Sequence, residues 1–320
     1  MSDAPVPNTP TASPEEDLLV QVAWAYYVAQ QDQGDIAGHL GVSRATVSRI
    51  LKRARERGIV QVSIESPYGL AVELSQALRE RFRLQWVQVV PDWLASDDRM
   101  QSLAQAAALY LNRKIRDLNR LAVGWGRTIS HVGTYAAGRG RGEVVEMVGT
   151  FSASSDRPSS LRLATSLARG YGMTATVLSA PAIAEDPETC RALKTHPQIA
   201  SVLQRAREAD LAVVSLGPAD PSSTLAQLGL VATTELADLR RLGAVGEVLG
   251  RFFDRVGCPV STELEDRLIG LTLEELRAIP RVMVVAGGPE KVEALGGALQ
   301  GHLMSHLVVD EATAQQILKS

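Results

Sequence analysis

Seven short apolar runs recur through the last three-quarters of the chain: WVQVV, RLAVGWGRT, EVVEMVG, TATVLSAPA, DLAVVSLG, RVMVVAGG and SHLVVD. Each is rich in β-branched residues and continuous rather than alternating, and helix-length segments separate them. A strand that is apolar on both sides needs cover on both faces of its sheet, and a helical return lets successive strands run in one direction. The pattern predicts a largely parallel sheet with helices on both faces. Among the intervening segments, residues 70–82 and the Ala-rich stretch 98–118 are expected helices.

The first 65 residues follow another rule. Residues 1–14 form a Pro-, Ser- and Thr-rich tail expected to be disordered. Order is expected from about residue 15, with Ser13 as cap, Pro14 at the first helical position and Glu16 at the third. In EEDLLVQVAWAYYVAQ, the residues Leu18, Leu19, Val22, Ala25, Tyr26 and Ala29 fall on a helical period. A second helix, capped by Asp32, ends at Gly41. Ser43 caps a third, which runs to about Arg57 before Gly58. IVQVSIES then alternates like the strand of a wing.

Helix, glycine turn and basic helix make the helix-turn-helix pattern. Ile36, Ala37, Leu40, Val47, Ile50 and Leu51 have the spacing of its small core, with Val42 plugging the turn. That leaves Ser43, Arg44, Ala45, Thr46, Ser48 and Arg49 for the major groove of double-stranded DNA, and Lys52, Arg53, Arg55 and Arg57 for phosphates. Residues 44–57 hold six basic groups against one acid, although the whole chain is at -3. Focused charge of this kind suffices for nucleic-acid binding.

Composition narrows the rest. At 320 residues and 45% hydrophobic, the chain can bury two unequal cores: 15–65 for DNA, and 66–320 for sensing and oligomerisation. Aromatics at 4% argue against a base-stacking platform for single strands. No apolar run approaches 18 residues and the N-terminus lacks a signal-peptide pattern, so no membrane association and a cytoplasmic location are expected. Cys190 and Cys258 suit a reducing compartment and read as buried apolar residues.

An open α/β sheet binds ligands at the C-terminal ends of its strands. Four segments there carry candidate ligand groups: Gly124, Gly126, Arg127 and Thr128 in AVGWGRT; Gly217, Asp220, Ser222, Ser223 and Thr224 in SLGPADPSSTL; Glu247 in GAVGEVLGRFFD; and Gly287, Gly288 and Lys291 in VVAGGPEK. Backbone N–H groups, hydroxyls and a helix start suit an anion, and a carboxylate suits sugar hydroxyls. Ile129 stands where a dinucleotide fingerprint needs its third glycine.

These motifs, together with READLAVVSLGPADPSSTL, STELEDRLIGLTLEELRAIPRVMVVAGG and DEATAQQIL, resemble the SorC-type family of bacterial sugar-responsive transcriptional regulators, over nearly everything after residue 15. The resemblance implies a winged helix-turn-helix and a Rossmann-like effector domain similar in fold to glucosamine-6-phosphate deaminase and ribose-5-phosphate isomerase. It also implies a dimeric or tetrameric regulator, expected to repress a carbohydrate operon, whose operator binding responds to a sugar or phosphosugar. By the same resemblance the anion turn falls on Gly124–Thr128, the sugar-contacting acid on Glu247 and the phosphate-side base on Lys291. Arg127 replaces a hydroxyl residue common among relatives, and Val148 stands where some have a Schiff-base lysine.

Catalysis is not expected, because only His131 lies near a ligand loop and no acid–base set accompanies it. His302 and His306 sit four apart without a third ligand, so neither a metal nor a cofactor is expected. Glu263, Glu265, Asp266 and Arg267 read as a loop ion-pair set, and the helix at 70–82 as a surface that pairs subunits.

Overall fold

A computed structural model describes residues 13–60, 68–92, 99–151, 159–261 and 263–320. The chain divides into two compact units, Met1–Ser66 and Pro67–Ser320.

The first unit is built from helices Pro14–Tyr27, Gln33–Leu40 and Arg44–Glu56. Each begins on a side-chain cap: Ser13 accepts from Glu16 N–H, Asp32 from Gly34 and Asp35, and Ser43 from Thr46. These contacts satisfy donors that have no partner inside the helix. Gly41 ends the second helix at φ +64°, a backbone region that only glycine enters cheaply. Val22, Ile36, Ala37, Val47 and Leu51 form one buried cluster, and Leu19, Ala23 and Ala54 a second.

Four expected core residues, Leu18, Ala29, Leu40 and Val42, are instead exposed. So small a unit covers only a narrow arc of each helix, and Ala23 and Ala54 take those places because a methyl fits where helices approach closely. Order reaches back into the expected tail as far as Ser13, while residues 1–12 lie outside the described part. Most of the expected wing strand (61–66) also lies outside it. Ile59 and Val60 form a bend packed beside Ala54.

The second unit contains β1 (Trp86–Val90), β2 (Arg120–Val123), β3 (Glu143–Glu146), β4 (Thr174–Thr176), β5 (Leu211–Val214), β6 (Gly217–Pro218), β7 (Ala244–Val248), β8 (Arg251–Asp254), β9 (Val282–Val285) and β10 (His306–Asp310). Seven of these make one sheet in the order β1-β10-β9-β5-β2-β3-β4, parallel throughout. Alternate residues serve opposite faces: Leu121, Val123, Val213 and Val285 pack into one core, and Ala122, Val145, Val214 and Val284 into the other. Cover on both faces explains why the runs are continuously apolar.

From β2 the chain continues to β3 on one side, whereas β5 lies on the other. The loops leaving β2 and β5 therefore diverge and open a crevice, the topological switch point of an open parallel sheet.

The small antiparallel sheet β6-β7-β8 was not foreseen. Segment GAVGEVLGRFFD, expected as a ligand loop, is the β7–β8 hairpin, with Val248 opposite Arg251 and Leu249-Gly250 as its tip. Both tip residues have positive φ, +57° and +83°, as a two-residue hairpin turn requires, yet leucine at the first position hides that signal. The Ala-rich helix spans Arg99–Lys114 and tightens to a 3-10 turn at Ile115–Asp117. Cys190 is buried as expected. Cys258 is exposed, because it closes a surface turn in which its N–H donates to Asp254 at 2.8 Å.

Candidate functional site

On the helix Arg44–Glu56, the side chains of Val47, Leu51 and Ala54 point inward, leaving Arg44, Ala45, Ser48, Arg49 and Lys52 exposed. Thr46 is half-buried, and its hydroxyl lies 2.9 Å from that of Ser43, so both are engaged at the cap. The basic groups separate into two sets. Arg53 and Arg57 turn back to Glu15 at 2.6 and 3.2 Å, and Lys52 meets Glu56 at 3.7 Å. Arg49 and Arg55 have no ionic partner among the described residues, and Arg44 acts on Asp32 only beyond ion-pair distance, so their charge is available to an external anion.

In the second unit the switch point gathers side chains from four places in the sequence. The turn after β2 supplies Trp125, Gly126 and Arg127; the loop after β5 supplies Ser215, Gly217, Ser222, Ser223 and Thr224. Glu247 enters from β7, and Glu290 and Lys291 from the turn after β9. Gly126 has φ +148°, and a Cβ there would lie 2.7 Å from the Ser215 side chain, so only glycine lets these two loops meet.

Glu247 and Lys291 are both buried. Burial raises the Glu247 carboxyl to about 7, opposed by the Gly250 N–H that donates to Oε2 at 3.0 Å and by the charge of Lys291. Burial also holds the Lys291 ammonium below its ordinary range, with Glu290 opposing and Arg127 assisting. The Lys291 ammonium makes no hydrogen bond and no ion pair within 4 Å among the described residues, and the carboxylates of Glu290, Glu247 and Asp310 act on it only from farther away. A buried cation without an acceptor, beside the exposed guanidinium of Arg127, is an arrangement ready for an anion. Across the pocket lie the Glu247 carboxyl and four hydroxyl residues, of which Ser215 donates to the Val285 carbonyl, Ser222 donates to Asp220 and Ser223 accepts from Ala226 N–H.

The pocket thus unites Gly126, Arg127, Gly217, Ser223, Glu247 and Lys291. Four other expected ligand residues are used internally. Gly124 lies beneath Leu249, Thr128 is buried behind the turn, and Asp220 accepts from Ser222 N–H and Oγ at 2.7 and 2.6 Å. Gly288 N–H is consumed by Asp310 and Thr313, at 2.9 and 2.8 Å. The helix opened by Arg127 is a single turn, Arg127–Ser130, and His131 is its C-terminal cap, so little helix dipole supports an anion there. Lys291 closes a 3-10 turn, Pro289–Lys291, before the helix Val292–Gln300.

The enclosed volume is about 20 Å³, room for about one water. A much larger groove of about 850 Å³ runs along β1, but its charged groups, Arg79, Glu80 and Arg113, are all exposed. A buried ammonium without a hydrogen bond at a switch point outweighs volume as the mark of a ligand site.

Several structural residues were missed in the sequence. Asp310, buried and capping the last helix, accepts from Thr313 as well as Gly288 and so fixes the turn that carries Lys291. Buried Arg251 donates to the carbonyls of Leu271 and Gly270, at 2.5 and 3.1 Å, and pairs with Glu265. Of the expected loop ion-pair set of Glu263, Glu265, Asp266 and Arg267, Glu265 alone forms an ion pair among the described residues, and with Arg251 rather than within the set, while Arg267 donates to the Glu185 carbonyl. Trp125, which stacks on Phe151 at 4.1 Å, and Ser215 carried no motif of their own. His306 is bound between Tyr110 (2.8 Å) and Ser305 (2.9 Å), and burial lowers it to about 4, which leaves it neutral. Among the described residues no cluster could hold a metal, and no helix is long and apolar enough to cross a membrane.

A helix-turn-helix joined in one chain to a parallel α/β sheet with a charged switch-point pocket defines a ligand-responsive DNA-binding regulator. Known proteins agree. The family described as "Putative sugar-binding domain" matches residues 66–319, and that described as "Crp-like helix-turn-helix domain" matches 28–80. The transcriptional regulator LsrR of Escherichia coli is 32% identical over 96% of each chain, and the deoxyribonucleoside regulator of Bacillus subtilis 29% over 95% of this chain and 98% of its own. The full-length sorbitol operon regulator SorC of Klebsiella pneumoniae superposes with a TM-score of 0.73 at 27% identity, over 96% of this chain and all of the other. The chain belongs to the SorC-type family of transcriptional regulators with a sugar-binding domain, not to the enzymes.

Proposed function

We propose that this regulator senses a phosphorylated sugar in the switch-point pocket and, as a cytoplasmic homo-oligomer, represses a carbohydrate operon. The observation that carries the reading is the buried Lys291 ammonium, which makes no hydrogen bond, beside Arg127 and opposite Glu247 and Thr224. The phosphate meets the two cations and the sugar hydroxyls meet Glu247. The relatives named for a sorbitol operon and for deoxyribonucleosides support the carbohydrate class. In the first unit, Arg44, Ala45, Ser48 and Arg49 read bases of double-stranded operator DNA. Lys52 joins them at the backbone, Arg53 stays with Glu15, and Ser43 and Thr46 set the helix start.

Because the pocket holds about one water, effector entry requires it to open. The shift in operator affinity then equals the effector's preference for the open form over the closed one. Thermal-shift screening of free sugars against their phosphates, followed by gel-shift titration on the promoter nearest the gene, tests this. Phosphosugars should raise Tm and weaken the DNA complex; stabilisation by free sugars alone would remove the anion from the reading.

A further inference from the structure

The turn after β9 brings two charged side chains to the switch-point pocket, Lys291 from the buried side and Glu290 from the exposed rim. A carboxylate just before a helix ordinarily turns to the free N–H groups of the first helical turn. Glu290 does not. The helix Val292–Gln300 has no side-chain cap, and a Cβ on Gly288 would stand 2.6 Å from each Glu290 carboxylate oxygen, so the side chain folds back over that glycine.

No hydrogen bond holds it there. Gly288 N–H is taken by Asp310 and Thr313, and Glu290 makes no hydrogen bond and no ion pair within 4 Å among the described residues. What acts on it is charge. Of the charged groups around the Lys291 ammonium, Glu290 acts most strongly, ahead of Arg127, Glu247 and Asp310. A carboxylate and a phosphate offer an ammonium the same thing, oxygen atoms that carry negative charge. In the empty pocket a buried cation is less costly with such a group nearby, and Glu290 supplies one on an exposed arm that can leave without backbone movement.

We infer that Glu290 is a stand-in for the effector's anion: its carboxylate attends Lys291 while the pocket is empty and swings out when the phosphate arrives. The inference rests on the phosphosugar reading and adds a residue that sets specificity. A phosphate replaces the charge it displaces. A neutral sugar that pushed Glu290 aside would leave the buried ammonium with less counter-charge, so neutral sugars are refused. Affinity for phosphate is itself lowered by the work of moving Glu290.

Glu290→Gln tests this, because it keeps the size of an exposed side chain and removes its charge. Inorganic phosphate is the probe, and thermal shift of the full chain reads its binding at ionic strength held constant with chloride. Phosphate should stabilise the wild type weakly, and Glu290→Gln should show the same rise in Tm at about 3- to 10-fold lower phosphate. Equal or weaker phosphate binding by Glu290→Gln would overturn the stand-in and leave the anion pocket standing. No stabilisation of either protein beyond that by chloride would overturn both. Lys291→Met added to Glu290→Gln should abolish the gain; a gain that survived would place the phosphate away from Lys291 and overturn the inference.

Discussion

The recognition helix and the switch-point pocket both use positive charge, but they handle it oppositely. On the helix the cations are exposed, contiguous in sequence and held in place by a small core beneath them. In the pocket Lys291 is buried and far in sequence from Arg127, Ser223 and Glu247. A surface that reads a long, highly charged polymer works at high dielectric and gains by having many cheap contacts. A pocket that selects one small anion gains by having few contacts, each desolvated and costly to leave unmatched.

The largest expected effect tests the exposed side of this contrast. Arg44→Ala with Arg49→Ala should weaken operator binding by about 2–6 kcal/mol and lower the salt slope by about 2, read by gel shift across ionic strengths. An unchanged slope would dissociate these residues from DNA.

The buried side predicts a pH dependence. The folded pKa of Glu247, about 7, lies above its unfolded value near 4.5, so the folded state holds the proton more tightly. Stability therefore falls as pH rises from about 4.5 to about 7 and levels off above, a loss of up to about 3 kcal/mol. Glu247→Gln should remove that slope in chemical denaturation from pH 5 to 8. Parallel curves would mean that Glu247 stays ionised in the fold.

Lys291→Met sharpens the same contrast. Removing a buried charge that makes no hydrogen bond should stabilise the unfilled protein by about 1 kcal/mol while abolishing the response to phosphosugar. A lowered Tm would reveal a structural partner for the ammonium. The smallest effect belongs to Arg53→Ala, which breaks a half-exposed pair with Glu15 and should change stability by at most about 0.5 kcal/mol. If it also lowers the salt slope of DNA binding by about 1, Arg53 leaves Glu15 for a phosphate.

The helix-turn-helix was legible almost to the residue, since caps, glycine turns and the periods of its three helices are local signals. Its failures, Leu18 and Leu40 exposed while Ala23 and Ala54 are buried, arose where helix contact rather than periodicity chose the face. Sheet class was equally legible from continuous apolar runs. The β7–β8 hairpin was not, because Leu249 occupies a positive-φ position that sequence habits reserve for Gly, Asn or Asp. Pocket membership was half legible. Glycines at strand ends looked alike, yet Gly126 faces the pocket whereas Gly124 lies under Leu249 and Gly288 is tied to Asp310.

By itself the sequence determined which segments become helices and strands, where the helices are capped, and that positive charge concentrates on one exposed face. These follow from interactions over three or four residues, which any fold must respect. Only the tertiary structure decided which loops meet. Strand order places β5 between β2 and β9 and so brings Lys291 to Arg127, and burial there raises the Glu247 carboxyl and lowers the Lys291 ammonium. Desolvation depends on everything packed around a group, and no short window of sequence contains that.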